Sequence, residues 1–215
     1  VFSVTDADAT TKFYGDILGL KRIPDIDFPG DPYMIRYMGG KSEIKFIVTG
    51  ADLPKMEGGV GKARGIRLLA FMLPGSERAG ILERMKSAGL PEPSFTERKN
   101  ESAGYTYRYG MTYDYDGNQI ELVFFDEGAP KEKFNQVQIG CIVSDMAAMD
   151  EFLANVIGAT PLVTDERIHR YDIGASQVKF WQVNGDLPTW VGGPLAKVGM
   201  YLIQFAVRDE VVHVL

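Results

Sequence analysis

Cysteine occurs once in the 215 residues, at Cys141, so no intrachain disulfide can form and a reducing compartment is the default expectation. That residue stands inside the apolar run Ile139-Gly140-Cys141-Ile142-Val143 and reads as a buried small hydrophobe rather than a reactive thiol. Clustered basic residues are missing too. A net charge of −6 and a pI near 5.0 disfavour a nucleic-acid or anionic-membrane surface. No apolar run reaches the roughly 18 residues of a membrane span, and no basic segment followed by an apolar core marks a signal peptide. Histidine is limited to His169 and His213. No dinucleotide fingerprint, phosphate-binding loop or Ser/His/Asp pattern stands in a supporting context, so nucleotide-dependent and serine-hydrolase readings have no basis. These absences lead us to expect a cytoplasmic chain with no nucleic-acid and no membrane partner. The sequence opens on Val1 rather than Met, in what reads as a strand, so a preceding segment is expected.

What the chain does contain is a repeat. Arg36-Tyr37-x-x-Gly40-x-Ser42-x-x-Lys45-Phe46 returns 134 residues later as Arg170-Tyr171-x-x-Gly174-x-Ser176-x-x-Lys179-Phe180. Asp52-Leu53-Pro54, Gly58-Gly59, Gly65, Leu68 and Phe71 return as Asp186-Leu187-Pro188, Gly192-Gly193, Gly199, Leu202 and Phe205. The ungapped stretch holds 14 identities in 36 positions, where average composition gives roughly two or three. A period this long means a duplicated domain.

Taken in order, Val1–Val4 reads as a strand, and Thr5 or Asp6 offers a helix N-cap oxygen. A helix over residues 7–18 follows, with Phe13, Ile17 and Leu18 on one face and Gly19 ending it. Strands are expected at Leu20–Ile23, Tyr33–Met38 and Ile44–Val48. A Gly-rich connector, residues 50–65, leads to a second unit: strand Ile66–Leu73, a helix from Ser76 to Ser87, and strands Tyr105–Tyr109 and Gln119–Phe125 around the Asp116-Gly117 turn. Both units read as β-α-β-β-β. A charged, proline-containing link, Asp126 to Lys133, precedes a third unit that copies the first. A fourth opens at Gly199 and is still forming at Leu215. We therefore expect domain one at residues 1–126 (units 1–50 and 65–126) and an incomplete domain two at 134–215 (units 134–185 and 197–215).

Two motifs give this pattern a likeness. Val4-x-Asp6 followed by Phe13-Tyr14-x-Asp16-x-Leu18-Gly19, and Asp114-x-Asp116-Gly117-Asn118-x-Ile120-Glu121-Leu122, resemble the vicinal oxygen chelate superfamily. That superfamily includes glyoxalase I, bleomycin and fosfomycin resistance proteins and extradiol dioxygenases. Tyr115 stands where the second motif usually has proline. The resemblance implies an α+β fold of paired βαβββ modules whose mixed sheets curl into a glyoxalase-like cup, here duplicated. It also implies a divalent metal inside the cup. Of the ligand positions it implies, Glu121 matches the last, Gln138 the first of domain two, and Leu68 and Leu202 a third. The remaining one, a Glu in glyoxalase I, holds Lys45 and Lys179. Leucine offers no lone pair, and an ammonium has donors only. Neither histidine falls on a ligand position. A divalent metal is therefore disfavoured in domain one, and if one is bound, Glu121 and Gln138 would hold it.

Other residues suit an organic ligand. If Lys45 and Glu121 sit on facing units, an ion pair between them could replace the metal, with Glu121 as the catalytic candidate; solvated relics of the duplication are the plainer reading of Lys45 and Lys179. Arg36 and Arg170, each followed by Tyr, could grip a carboxylate or anchor the following turn. Tyr105, Tyr107 and Tyr109 alternate on one strand face, so they could line an aromatic pocket or pack against a neighbour. The expectation is a small-molecule binder, metal-free at least in the first cup, with oligomerisation left open. The alternatives are a metal-dependent lyase, isomerase or dioxygenase, and a degenerate interaction module.

Overall fold

The computed structural model describes residues 1–29, 33–49, 52–55, 58–101, 104–130, 136–162, 166–183, 185–189 and 196–205. The first unit comprises β1 (Phe2–Val4), α1 (Ala7–Thr10), which runs on as a π-helical stretch (Thr11–Ile17), β2 (Lys21–Asp27), β3 (Tyr33–Gly39) and β4 (Ser42–Val48). The second comprises β5 (Gly65–Pro74), α2 (Arg78–Ser87), β6 (Phe95–Asn100), β7 (Tyr105–Tyr113) and β8 (Gln119–Phe125). The third comprises β9 (Gln136–Val143), α3 (Met146–Glu151) with a π-helical continuation (Phe152–Val156), β10 (Thr160–Pro161), β11 (His169–Asp172) and β12 (Ser176–Gln182). β13 (Gly199–Met200) opens the fourth. This is the α+β architecture of repeated βαβββ modules.

The local devices recur between copies. Asp6 accepts a hydrogen bond from the Ala9 amide at 2.9 Å, and Asp145 accepts one from Ala148 at 3.0 Å, each capping a helix start. The same helices end at Gly19 and Gly158, at φ 71° and 72°, a left-handed conformation that costs glycine nothing. The strand β6 is absent from the sequence-based expectation. Its residues Phe-Thr-Glu-Arg-Lys-Asn carry one hydrophobe, and it sits at a sheet edge, where polar and charged side chains are tolerated and discourage further pairing.

The strands form two sheets, ordered β13-β1-β4-β3-β2 and β10-β11-β12-β9-β5-β8-β7-β6. The expectation that the first unit would share a cup with the second is corrected by this pairing. The first joins the fourth through antiparallel β1 and β13, and the second joins the third through antiparallel β5 and β9. The physical reason lies in each unit's opening strand. It forms the outer edge of its own four strands, so its outward N–H and C=O groups need a partner. Any unit's opening strand can supply one. The expected link from Asp126 to Lys133 ends in residues outside the described set, and so does most of the fourth unit.

One core cluster binds the two sheets. Phe13, Tyr14 and Ile17 with Ile81 and Met85 of α2 pack between Ile35 and Phe46 of the small sheet and Leu69, Phe71, Leu122 and Phe124 of the large one. A second cluster places Leu153 against Cys141, Tyr171, Val178 and Phe180. β8 is buried on both faces, which explains the apolar residues on either side of Glu121. Among the described residues no helix is long and apolar enough to cross a membrane.

Candidate functional site

Register alone assigns one face of the eight-stranded sheet. Arg98 of β6 lies opposite Tyr107 of β7, and Met111 lies opposite Glu121 of β8. Glu121 pairs with Ala70, Ala70 with Gln138, and Gln138 with Gln177. Lys179, two residues along β12 from Gln177, faces Arg170 of β11. Directly paired residues share a face, as do residues two apart on a strand. Arg98, Tyr107, Tyr109, Glu121, Gln138, Gln177, Lys179 and Arg170 therefore all project to the side away from the helices.

At the centre of this face the Lys179 ammonium donates a hydrogen bond to Glu121 Oε2. Both residues are buried, at 8% and 7% exposure. The strands β12 and β8 are separated by β9 and β5, roughly 14 Å in a flat sheet. Side chains standing perpendicular to a flat sheet could not meet across that span, so the contact reports an inward curl. Beside the pair, Gln138 Nε2 donates to Gln177 Oε1 at 2.5 Å. Leu68 covers Gly140, where an added Cβ would lie 2.8 Å from the Leu68 Cβ and 3.2 Å from the Trp181 ring. The close crossing of β5 and β9 needs a residue without a side chain there.

The partner of Glu121 is thus Lys179 and not Lys45. Lys45 stands on β4 in the other sheet, where its ammonium donates to Gln204 Oε1 at 2.6 Å and lies 3.8 Å from Glu43. The pairing of units explains the difference, because the second unit curls toward the third. Arg36, also in the smaller sheet, donates to Glu43 and, at 3.0 Å, to the Pro24 carbonyl. Its guanidinium anchors neighbouring backbone in the way that suits the structural reading.

The tyrosines divide. Tyr105 is buried in a cluster with Met72, Val123, Phe125 and Ala129, whereas Tyr107 and Tyr109 are half-buried with ring centres 6.4 Å apart. Burial pushes the Tyr107 phenol above its ordinary range, and the Arg170 charge draws it back. The sequence reading missed Arg98 and Gln177. Arg98 lies on the unpredicted β6, and only the alternation of Thr96, Arg98 and Asn100 opposite the tyrosines could have exposed it.

A cavity of about 690 Å³ lies on the opposite side of β9, bounded by Lys45, Val137, Ile139, Ile173 and Gln204. Its walls run out to Phe205, where the described residues end. The paired polar groups lie elsewhere, and they define the candidate site. His169 is also elsewhere: its Nδ1 and the Tyr171 hydroxyl meet Asp150 at 2.8 Å each, fixing β11 to α3. His213 lies outside the described residues.

Two βαβββ units joined through their opening strands, with paired inward groups on a curled sheet, define a protein of the vicinal oxygen chelate type. The family model for the glyoxalase/bleomycin resistance protein/dioxygenase superfamily matches residues 1–122, and the chain belongs to that superfamily. Glyoxalase I from Zea mays is similar in structure, with a TM-score of 0.64 and 15% identity over 86% of this chain and 66% of that one. A candidate dioxygenase from Bacillus subtilis subsp. subtilis str. 168 is similar with a TM-score of 0.58 and 18% identity, over 83% and 61%. Such identities show the fold alone, and the chain spans less than two thirds of the length of either relative. No curated protein matches the sequence.

The residues of the large cup do not fit a divalent metal. The four positions that the resemblance gives to ligands hold Glu121, Gln138, Leu68 and Lys179. Leu68 supplies no donor atom, Lys179 presents an ammonium, and the one carboxylate is already satisfied by that ammonium. Such sites normally offer about three protein ligands. Among the described residues no three His, Cys, Asp or Glu side chains gather in a metal-binding group.

Proposed function

We propose that the large cup binds a small organic molecule without a metal. The observation that carries this reading is the buried Lys179–Glu121 pair, which puts a fixed cation against the carboxylate at the place where the superfamily resemblance implies a metal. A buried carboxylate requires a partner, and the lysine is that partner, which leaves Tyr107, Tyr109, Gln138 and Gln177 to contact a ligand. Gln amides and Tyr hydroxyls orient a polar organic molecule, and the tyrosine rings offer flat apolar area.

Thermal unfolding across a panel of metabolites and antibiotics, with and without EDTA, tests the reading. A ligand selecting the folded state at about one hundred times its Kd stabilises it by about 2.7 kcal/mol. We expect at least one compound to raise the melting temperature equally in both conditions. Stoichiometric Fe, Mn, Zn or Ni in protein purified without chelator, with stabilisation lost in EDTA, would reverse the conclusion in favour of a metal-dependent lyase, isomerase or dioxygenase.

A further inference from the structure

The cup face carries a row of amide side chains. Gln136 and Gln138 stand two apart on β9, and Gln177 of β12 lies directly opposite Gln138, so all of them share that face. Their hydrogen bonds are incomplete. Gln138 Nε2 donates to Gln177 Oε1 at 2.5 Å, which uses one nitrogen and one oxygen of the pair. Gln138 Oε1 and Gln177 Nε2 form no further side-chain hydrogen bond among the described residues, although the two residues are only 8% and 4% exposed. The Gln136 side chain forms none among those residues, and its Oε1 is buried. Rotating the paired amides by 180° exchanges their roles and still leaves one donor and one acceptor free.

Buried polar groups in folded proteins are nearly always hydrogen-bonded, and leaving them unpaired costs stability. The polar groups around Asp114, by contrast, satisfy one another. The ladder also sets an apolar wall beside the row. Gln136 lies opposite Met72 of β5, and Met72 packs with Tyr105, Val123 and Phe125 in the cluster against which Tyr107 and Tyr109 rest. Charge on this face does not select an ion. Glu121 offsets Lys179, and Asp172, opposite Gln177, offsets Arg170, opposite Lys179. Arg98 stands apart on the edge strand β6. An ionised carboxylate has acceptors only and would meet the free amide oxygen and Asp172, while an ammonium has donors only. A neutral carboxamide has both, and its N–H and C=O match the free oxygen and nitrogen.

From this row we infer that the ligand of the large cup is a small neutral carboxamide or lactam with a flat apolar body. Its amide completes the hydrogen bonds of Gln136, Gln138 and Gln177, and its body lies against the Met72 cluster. The inference rests on the proposed binding function and specifies the ligand class.

Benzamide, benzoate and N,N-dimethylbenzamide are suitable probes for titration calorimetry, because they share a ring and differ in charge and in the amide donor. We expect benzamide to bind about tenfold more tightly than either of the others, as one additional satisfied hydrogen bond requires. Gln138→Leu should remove most of that preference. Gln136→Leu remains readable should Gln138→Leu fail to fold: Gln136 has no side-chain hydrogen bond to lose, so the unliganded melting temperature should hold while the preference falls several-fold. Benzoate or N,N-dimethylbenzamide binding as tightly as benzamide, or a preference unaffected in both variants, would overturn the amide class while leaving the metal-free cup standing. Panel compounds without an amide binding where benzamide does not would have the same meaning. If no probe and no panel compound binds, the ligand class and the binding function fall together.

Discussion

The Tyr14 phenol donates a hydrogen bond to Asp114 Oδ2 at 2.8 Å in the protein interior. Tyr14 belongs to the helix of the first unit and Asp114 to the turn before β8 of the second, so this bond fastens the two sheets together. Asp114 also accepts from the Asp116 and Asn118 amides at 3.0 and 2.8 Å and from Asn118 Nδ2 at 2.9 Å. The two sequence motifs that carry the family resemblance are therefore the two halves of one buried network.

Replacing Tyr14 with Phe removes a hydrogen bond to a carboxylate that has three other donors. We expect a loss of about 1.5–3 kcal/mol, the usual worth of a hydrogen bond to a charged group. Asp114→Ala should cost more, because the Tyr14 hydroxyl and the turn amides all lose their acceptor. Urea unfolding midpoints at constant m-value provide the measurement.

Breaking the central ion pair from one side should be costly. Glu121→Leu or Lys179→Met leaves an uncompensated buried charge, at about 3–5 kcal/mol. The double variant Glu121→Leu/Lys179→Met should recover most of that loss. A double-mutant cycle in chemical denaturation measures the coupling, and additive single losses would show that the two groups do not act on each other.

Lys45→Glu should leave ligand binding in the large cup unchanged, because Lys45 lies in the smaller sheet with Gln204. Lys179→Met should abolish or sharply weaken it. Titration of whichever probe binds the unaltered chain compares the two. The contrast separates two lysines that occupy identical positions in the repeat.

Burial pushes the Cys141 thiol up to about 12. The reactive thiolate is then scarce near neutral pH. Ellman's reagent at pH 8 should modify the native chain far more slowly than the urea-unfolded chain, and a rapid native reaction would place the thiol at the surface.

Much of this organisation is legible in the residues. The 134-residue repeat, the helix caps at Asp6 and Asp145 and the stops at Gly19 and Gly158 are local signals, read from spacing and backbone preference. Glu121 is also legible as an unusual charge in an apolar strand, whereas the plainer reading of Lys179 as a solvated relic is corrected by its burial. The polar strand β6 is not legible, since an edge strand with one hydrophobe has no alternating signature, and Arg98 is missed with it.

The sequence by itself determined the modules, their number and the chemistry of the positions where a metal would sit, because these depend on residue type and local periodicity. It could not determine which module meets which. The repeat makes Lys45 and Lys179 equivalent, and every opening strand presents the same unpaired backbone edge. Only the tertiary structure joins β5 to β9 and β1 to β13, since that choice depends on long-range packing of the whole chain. With it came the partner of Glu121.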